Sequence, residues 1–382
     1  MATGFCPALL LDINDIAGSN APDRRLQIAG FLAMLFCCQD SLANIVQVGT
    51  QGGHRTSITV KYRPRPLPSL VQSTDDCDID AIPAYLEWTI PGLTHKQISF
   101  FLPDEQVRQY CIDASRMRDL PGTPRTRVMD EVYGLFLTYA NTLMKAINQD
   151  LVAKQATEFG VNVSTNDDGG SIINISNSPG TSFNLSNGII QILRDIQENE
   201  ICGSPCIVGG GLFAAYTQAQ ALLCCNQAGL DMGAAGIPRF FFDKDTQSIW
   251  GANSIGMFAP GSIKFISWDK YVGEAWTGAK GSSFFTNVGL PVNEFGCNLD
   301  QCLNDLRLDV QLKYIDCPQN VNINGVSTAV GRGWQVIISK DYALWTQPDT
   351  GFQVGDSLAG ANGTIKYFIS NSAYSGGAYS LY

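Results

Sequence analysis

The stretch that decides the fold is residues 123–159, which read TPRTRVMDEVYGLFLTYANTLMKAINQDLVAKQATEF. Its apolar residues recur at intervals of three and four, which places them on one face of an α-helix. They are Val128, Val132, Leu135, Phe136, Tyr139, Leu143, Ile147 and Leu151. Pro124 suits the first helical turn and Gly160 supplies the stop. The pattern predicts a helix about three times the average length. Because the stripe is not a strict heptad, it favours the spine of a flat domain over a coiled coil.

The charge balance limits the classes of function. The 382 residues include 25 Lys and Arg against 35 Asp and Glu, a net charge of −10, and two histidines. Net acidity disfavours a protein that grips nucleic acid, and scarce histidine disfavours most histidine-based catalysis. Charged residues make up 16% of the chain, where about 25% is typical of soluble domains. We therefore expect surfaces that are neutral or buried by self-association.

The cysteines and the apolar runs indicate the compartment. Twelve cysteines are present, but they lack the paired C-x2-C spacing of a zinc site. They predict buried thiols that behave as small apolar side chains. The N-terminus lacks the basic start of a signal peptide, and no apolar run reaches the roughly 20 residues that cross a bilayer. We expect a soluble chain made in the cytoplasm, with no membrane partner.

Before the spine, the sequence predicts an extended arm, a short helix within residues 23–42, and a set of strands. Alternating residues at 45–48 and 57–62 predict a strand, turn and strand. A second strand pair is predicted at 85–90 and 97–102, joined through a Pro-Gly turn. Because continuous apolar surface is scarce here, these strands suggest a projecting β-arm rather than a packed sheet.

After the spine, residues 161–183 predict a hairpin with a loose tip, and a compact α/β portion follows. Ser186 can cap a helix that continues to Ile196. The next segments predict a buried strand at 205–208, a helix at 212–228, and strands at 239–243 and from 263 onward. Residues 240–251 predict a hairpin, because Asp243, Lys244 and Asp245 stand between apolar runs. Finally, alternation at 308–316 and 333–345 predicts two long strands that flank the spine.

The most specific local pattern lies in the compact portion. It consists of Cys206-Ile207-Val208-Gly209-Gly210, the helix from Leu212, Phe241-Phe242-Asp243 through Trp250-Gly251, and Pro260-Gly261-Ser262-Ile263. In its strand, helix and hairpin order, this stretch resembles the major capsid proteins of tailed bacteriophages, whose fold encapsulin compartments share. The order of segments over most of the chain is also similar to that family.

The resemblance implies an α+β fold of the tailed-phage major capsid type. Its parts would be an N-terminal arm and short helix (1–44), an extended β-loop (45–111), a peripheral domain (112–185) with the spine helix (123–159), an axial domain (186–303), returning peripheral-domain strands (304–347) and a C-terminal segment (348–382). No charged helical segment precedes the arm, so any scaffold would be a separate protein.

The resemblance further implies a non-enzymatic protein without cofactor, metal or catalytic residues. Pentamers and hexamers of the chain would form an icosahedral virion shell in the host cytoplasm, and the shell would enclose double-stranded DNA without sequence-specific binding. Scaffold, portal and decoration proteins are the implied partners. Two alternatives stay open. One is an encapsulin-like compartment that holds cargo enzymes. The other is a β-rich virion or surface protein, which would show regular strand repeats and no central long helix.

Four short patterns have rival interpretations. Asp76, Asp78, Asp80 and Glu87 occupy calcium-loop positions, but Ala81 replaces the required glycine, which favours a solvated acidic loop. Gly209-Gly210-Gly211 lacks the lysine of a phosphate loop and predicts a tight turn. Asp243 and Asp245 could form a glycosidase-like carboxylate pair, but their turn context favours a structural role. Triplets such as Asn362-Gly363-Thr364 match the pattern for N-glycosylation, but without a secretion signal we interpret them as incidental.

Overall fold

The computed structural model describes most of the segments that carry these predictions. The described residues are 26–28, 30–37, 43–51, 54–62, 86–90, 92–108, 124–160, 172–174, 192, 195–196, 198–199, 205–211, 239–251, 254–270, 283–289, 292–293, 306–316, 319–323, 326–348 and 362–370. The arm before residue 26, the whole of the predicted helix at 212–228 and the aspartates of the calcium-like loop lie outside them.

Three helices have defined bounds: α1 (Gly30–Cys37), α2 (Pro124–Gln155) and α3 (Lys244–Ile249). The long helix predicted at 123–159 is confirmed as α2, a single helix of 32 residues that ends four residues earlier than expected. The helix expected within residues 23–42 is shorter than its apolar pattern suggested. Its first part, Leu26–Gln27, is instead the strand β1.

The buried stripe of α2 follows the helical period closely. The buried positions are Tyr133, Phe136, Leu137, Ala140, Leu143, Met144, Ile147, Asn148, Leu151, Val152 and Gln155. The prediction that Leu135 belongs to this stripe is wrong, since its side chain is exposed. The centre of the buried stripe lies on the other side of the helix from Leu135. Tyr133 and Leu137, two positions before and after Leu135 in the sequence, are therefore buried.

The strands make up most of the remaining described residues. After β1 they are β2 (Ala43–Gln51), β3 (His54–Tyr62), β4 (Leu86–Ile90), β5 (Thr94–Pro103), β6 (Ile172–Asn174), β7 (Cys206–Gly209), β8 (Arg239–Phe242), β9 (Ser254–Phe258), β10 (Ile263–Trp268), β11 (Ser283–Gly289), β12 (Val292–Asn293), β13 (Arg307–Ile315), β14 (Gln319–Ile323), β15 (Val326–Val330), β16 (Gly333–Thr346) and β17 (Thr364–Ser370). Helices and sheets thus occur together, and the predicted α+β class is confirmed.

The chain divides into two compact units, each assembled from three stretches. Unit 1 comprises Met1–Ile28, Thr94–Ile147 and Ser267–Tyr342. Unit 2 comprises Ala29–Leu93, Asn148–Ile266 and Ala343–Tyr382. Both α2 and β16 contribute residues to each unit.

Unit 1 is built on long antiparallel strands. Within this unit β16 pairs with β13 and with β5, and β13 pairs with β11. The two long strands expected near the C-terminal end are confirmed as β13 and β16, which pair from Asp309 opposite Ser339 to Ile315 opposite Gly333. One contact shows how the sheet packs against the helix. The ring centroids of Phe100 on β5 and Tyr139 on α2 lie 4.8 Å apart.

The pairing predicted for the strands at 85–90 and 97–102 is wrong. β5 pairs with β16 from Pro103 opposite Gly333 to Thr94 opposite Tyr342, while β4 pairs with β3. Between them, Gly92 has a φ of 99°, which favours glycine because it has no Cβ. The alternation of apolar residues identified both strands, but it carries no information about their partners.

Unit 2 contains a mixed sheet in the order β6-β17-β9-β7-β8. Its apolar core contains Ile192, Ile196, Ile207, Ile255, Met257, Ala259, Ile365 and Tyr367. The buried strand predicted at 205–208 is therefore confirmed as β7. Within residues 161–183, where a hairpin was predicted, the described piece is β6, which pairs in parallel with β17.

The second sheet of unit 2 has the order β2-β3-β4, which confirms the predicted strand, turn and strand. Ile58 and Val60 of β3 are fully buried against Ile266, Ala343 and Trp345. The expectation that these strands lack a packed face is therefore wrong. The β-branched residues Ile58 and Val60 are sufficient to form a packed face, because Trp345 at the end of β16 lies against them.

The hairpin predicted at 240–251 is also wrong, because α3 occupies the middle of this stretch. Asp243 has extended backbone angles, and its side chain accepts a hydrogen bond from the Asp245 backbone N–H, the geometry of a helix N-cap. Aspartate favours turns and helix N-caps alike. The polar residues that suggested a turn therefore begin a helix.

Candidate functional site

A polar group in unit 2, which we call the Asp243 cluster, joins three helices; its members are buried except for Gln149, which is exposed. It consists of Asp243, Asp245, Asn148 and Gln149. The Asn148 Nδ2 atom donates to Asp243 Oδ2 at 2.8 Å and to Asp245 Oδ2 at 3.1 Å. Gln149 Nε2 donates to Asp245 Oδ1 at 3.1 Å. Each carboxylate thus receives amide donors from α2.

The same cluster holds the first turn of α1. Amides in the first turn of a helix have no acceptor within the helix. The Phe31 N–H donates to Asp243 Oδ2 at 3.0 Å, and the Leu32 N–H donates to Asn148 Oδ1 at 3.1 Å. Gly30 lies so close to β8 that an added Cβ would meet the Phe242 carbonyl oxygen at 2.1 Å. The apolar helix α1 is therefore fixed in the core by hydrogen bonds and by close approach.

The electrostatics of the Asp243 cluster indicate a structural role. Burial raises the pKa of the Asp243 carboxyl, and hydrogen bonds from Asn148, Asp245 and Phe31 oppose the rise only in part. Amide donors, rather than a cation, face both carboxylates. The structural interpretation of Asp243 and Asp245 accounts for every contact that they make here.

An aromatic group lies next to this cluster. The Trp250 ring contacts Phe31 at 5.6 Å and Phe159 at 5.0 Å between centroids, both edge to face. Its indole N–H donates to the Val152 carbonyl of α2 at 2.8 Å. Buried tryptophan is most favourable when its N–H has such a partner. Trp250 is therefore a core anchor.

A second polar group, the ionic cluster, lies in unit 1 and consists of His95, Asp269, Lys270, Lys340 and Asp341. Lys340 Nζ contacts Asp269 Oδ1 at 2.5 Å, and Lys270 Nζ contacts Asp341 Oδ2 at 2.8 Å. Two adjacent residues on β16 thus pair with two adjacent residues that follow β10. His95 Nδ1 lies 2.5 Å from Asp341 Oδ1.

The partners of the ionic cluster indicate what it does. The Lys340 side chain is fully buried and also donates to the Arg307 carbonyl at 2.7 Å. The Lys270 backbone N–H donates to Asp309 Oδ2 at 2.8 Å. These contacts hold the segment after β10 against β13 and β16. The arrangement is an ion-pair network, which the sequence did not reveal because its members are far apart along the chain.

The remaining sequence candidates lie in structural positions. Glu87, the last position of the calcium-like pattern, pairs with Lys61 at 2.9 Å across β3 and β4. At Gly210 an added Cβ would meet Gln247 at 2.8 Å, so the turn has little space beside it. Asn362 is buried, and its Nδ2 donates to the Glu158 carbonyl at 2.8 Å. Asn362 therefore connects the end of α2 to the start of β17.

One expectation about the cysteines needs correction. Cys206, on the buried strand β7, is disulfide-bonded. It is therefore not the free buried thiol that the sequence predicted. C-x2-C spacing identifies metal sites, but the distances that allow a disulfide depend on the fold.

Exposed apolar side chains form the other notable surface feature. Among the residues that the structure describes, the large ones are Trp88, Leu135, Phe242, Ile249 and Phe368. Trp88 is 47% exposed although it lies opposite the buried Val60 in the β3–β4 register, and so on the same face of the sheet. On the opposite face of this sheet, the hydroxyls of Thr59 and Thr89 contact each other. An indole in this position is typical of a contact with another molecule.

The described part of the chain contains no group of three or more His, Cys, Asp or Glu side chains that could hold a metal ion. Within the same residues, no helix has the length and apolar character that a bilayer crossing requires.

Comparison with known proteins gives similarity at the level of structure. No protein-family model matches the chain, and no curated protein matches it. The chain is similar to the capsid structure of cyanophage P-SCSP1u, with 10% identity, 87% of this chain and 88% of that chain covered, and a TM-score of 0.41.

Two further structures show similar coverage. The capsid asymmetric unit of cyanophage A-1(L) has 14% identity, 88% and 92% coverage of the two chains, and a TM-score of 0.45. The virus-like particle from Pyrococcus furiosus has 10% identity, 94% and 96% coverage, and a TM-score of 0.34. All three TM-scores lie below 0.5, so the functional proposal rests on the chain's own elements.

Proposed function

We propose that this chain is the major capsid protein of a tailed bacteriophage. Its copies assemble as pentamers and hexamers into an icosahedral shell around double-stranded DNA. The observation that carries the proposal is the order of elements along the chain. A three-stranded sheet is followed by the 32-residue helix α2, then by a mixed sheet, and then by the long strands β13 and β16. This is the order that the resemblance implied.

The surface chemistry supports a role in self-assembly. Charged residues are 16% of the chain, and large apolar side chains are exposed at several described positions. A protein that buries these side chains against neighbouring copies gains the stability that a single copy lacks. A closed shell forms from such contacts when they repeat with symmetry.

The proposed relation to DNA is enclosure without sequence-specific binding. A net charge of −10 disfavours tight binding to phosphates. An acidic inner surface would leave packaged DNA free to exit. The location is the virion, with assembly in the host cytoplasm, and the further partners would be scaffold, portal and decoration proteins.

The domain roles are part of the proposal. The part of the arm (1–44) that precedes α1 and the exposed part of the extended loop (45–111), which includes Trp88, would reach neighbouring copies, whereas α1 and β5 pack within the chain. The peripheral domain (112–185 with 304–347) would carry α2, and the axial domain (186–303) would meet its counterparts at the symmetry axes. The role is structural, with no cofactor and no catalytic residue.

The test is electron microscopy of the purified chain. It is expressed alone and with its genomic neighbours, and particles are imaged in negative stain. Closed shells or capsomers are expected. Monodisperse monomers under both conditions would overturn the proposal.

The contents of the shells separate the proposal from the compartment alternative. Nucleic acid inside supports the virion, whereas cargo enzymes inside identify an encapsulin-like compartment. The presence of α2 already counts against the β-rich surface protein, because that alternative has no central long helix.

A further inference from the structure

The two halves of strand β5 differ in burial. Over residues 94–99 the side chains alternate between half-buried and exposed, whereas Phe100 and Leu102 further along the strand are buried. A segment with few buried apolar contacts opens locally at low cost in free energy. The polar contacts of the first half therefore contribute a larger share of its attachment to β16.

One of these polar contacts joins His95 to Asp341. The two residues stand directly opposite each other in the register of β5 and β16, and the side chains of such a pair share a face of the sheet. The His95 Nδ1 atom lies 2.5 Å from Asp341 Oδ1. The other ring nitrogen, Nε2, lies 3.2 Å from Oε1 of Gln97. All three residues belong to unit 1.

The partners of the His95 ring favour its doubly protonated form. Carboxylate and amide oxygens only accept hydrogen bonds, so each ring nitrogen needs a proton to donate to the oxygen that it faces. A neutral imidazole has one N–H and satisfies one of the two oxygens, whereas an imidazolium satisfies both. The hydrogen bond to Asp341 is then charge-assisted, which makes it stronger than a neutral one.

Lys270 faces the ring from the segment after β10. Its Nζ atom lies 3.3 Å from His95 Nδ1, and it contacts Asp341 Oδ1 at 3.0 Å and Oδ2 at 2.8 Å. The lysine charge opposes protonation of the ring, but the carboxylate favours protonation from the shorter distance of 2.5 Å. If the ring loses its proton, Asp341 keeps Lys270 as a cationic partner. Only the link to β5 is then weakened.

The other charged residues of this region have different positions or partners. Lys96 and Lys340 stand opposite each other one residue along the register, and alternation places them on the other face of the strands. Lys340 pairs with Asp269. Asp309 accepts the backbone N–H of Lys270. Within the described part of the chain, Asp341 and Lys270 are thus the charged groups at hydrogen-bond distance from the ring.

We propose that His95 is a pH-sensitive latch, whose imidazolium fastens the first half of β5 to β16 and whose deprotonation loosens that half. Histidine is the side chain whose charge ordinarily changes between about pH 5 and about pH 8. The stabilisation belongs to the protonated ring, so it is present in acid and is lost as pH rises. The latch lies within the fold of one chain and does not depend on the proposed shell function.

The test measures hydrogen exchange at residues 94–99 by mass spectrometry in the parent, His95→Gln and His54→Gln. The chain has two histidines, so His54→Gln is the matched control. The ratio of exchange rates between a variant and the parent at one pH removes the effect of pH on exchange itself. The His95 side chain is 43% exposed, so its replacement disturbs no core packing.

The expected ratio depends on pH for one variant alone. At about pH 5 we expect residues 94–99 to exchange about threefold faster in His95→Gln than in the parent, the size that exposed ion pairs typically contribute. At about pH 8 the two chains should exchange alike. His54→Gln should match the parent at both. A ratio for His95→Gln that does not change with pH, or the same pH response in His54→Gln, would overturn the latch.

A second measurement reports the ring itself. The chain is labelled with ¹⁵N at histidine only, and the nitrogen chemical shifts are recorded at about pH 7, where a free imidazole is mostly neutral. The His95 signals are assigned in His54→Gln, which retains one histidine. Two protonated ring nitrogens support the latch, and a neutral ring overturns it. Both measurements can be made on free subunits or on shells, so failure of the latch is distinct from failure of the shell function.

Discussion

The Asp243 carboxylate accepts hydrogen bonds from three segments of the chain. Its Oδ1 accepts from the Asp245 N–H at 2.8 Å, and its Oδ2 accepts from Phe31 and Asn148. A carboxylate can do this because both of its oxygens accept, whereas a side-chain amide has one accepting oxygen and an NH2 group that only donates. Asp243 therefore begins α3 and at the same time fixes the start of α1.

The substitution Asp243→Asn tests this role. It places an N–H2 group against a backbone N–H, so we expect a loss of about 2 kcal/mol in the free energy of unfolding. Urea unfolding of the parent and the variant measures it. Asn148→Ala, which removes a different donor and acceptor from the same cluster, should cost a similar amount.

The pH dependence of the stability difference between the parent and Asp243→Asn has a defined sign. Burial raises the pKa of Asp243 above its ordinary value of 3.8. A raised carboxyl pKa means that its stabilisation is fully present below pH 3.8 and is lost as pH rises through the folded-state pKa. The loss caused by Asp243→Asn, which does not titrate, should therefore be largest in acid and shrink toward neutral pH. A loss that grows with pH would contradict this account of the buried carboxyl.

The ionic cluster contains two lysines, Lys340 and Lys270, which each pair with an aspartate but differ in burial. The Lys340 side chain is 0% exposed and that of Lys270 is 36% exposed. Lys340→Met leaves Asp269 without its buried partner, and we expect a loss of about 3 kcal/mol. Lys270→Met removes a solvent-screened charge and should cost about 1 kcal/mol or less. Equal losses in urea unfolding would show that burial does not control these pairs.

At the scale of elements, α2 is the part that the sequence predicted best. A stripe with helical spacing over many turns leaves little choice of structure, because a shift of one residue would bury polar side chains. The strands were found for the same reason, from alternation in β5, β13 and β16. What the sequence missed is pairing: nothing in β5 indicates that its partner is β16, some 240 positions later.

The polar clusters could not be predicted for a related reason. Asn148 and Asp243 are 95 positions apart, and Asp269 and Lys340 are 71 apart. Their side chains meet only after the chain has folded. The error at α3 is different, since Asp243 alone is equally suited to a turn and to a helix N-cap.

The helix assignment is tested by Leu143→Asp with Thr142→Asp as its control. Leu143 is buried in the stripe, whereas Thr142 is on the exposed side. A buried charge there should cost about 4 kcal/mol or more and prevent cooperative folding. The neighbouring charge at Thr142 should change the free energy of unfolding by about 0.5 kcal/mol or less. Circular dichroism and urea unfolding measure both, and a cooperative transition like the parent's in Leu143→Asp would contradict the buried stripe.

At the scale of the whole molecule, three properties are consistent with the proposed shell function. The chain has few charges, exposed apolar residues that include Trp88, and an element order with a long helix between sheets. None of these properties is needed by a monomer that works alone. All of them suit a subunit whose stability is completed by its neighbours.

The most direct test of this central claim is the particle mass of the purified chain, measured by light scattering across a concentration series. The account predicts a concentration above which a uniform particle appears, with a mass many times the 41.4 kDa of one chain. It also predicts that this particle is closed in the electron microscope. A chain that keeps the mass of a monomer at every concentration, alone and with its genomic neighbours, would contradict the account.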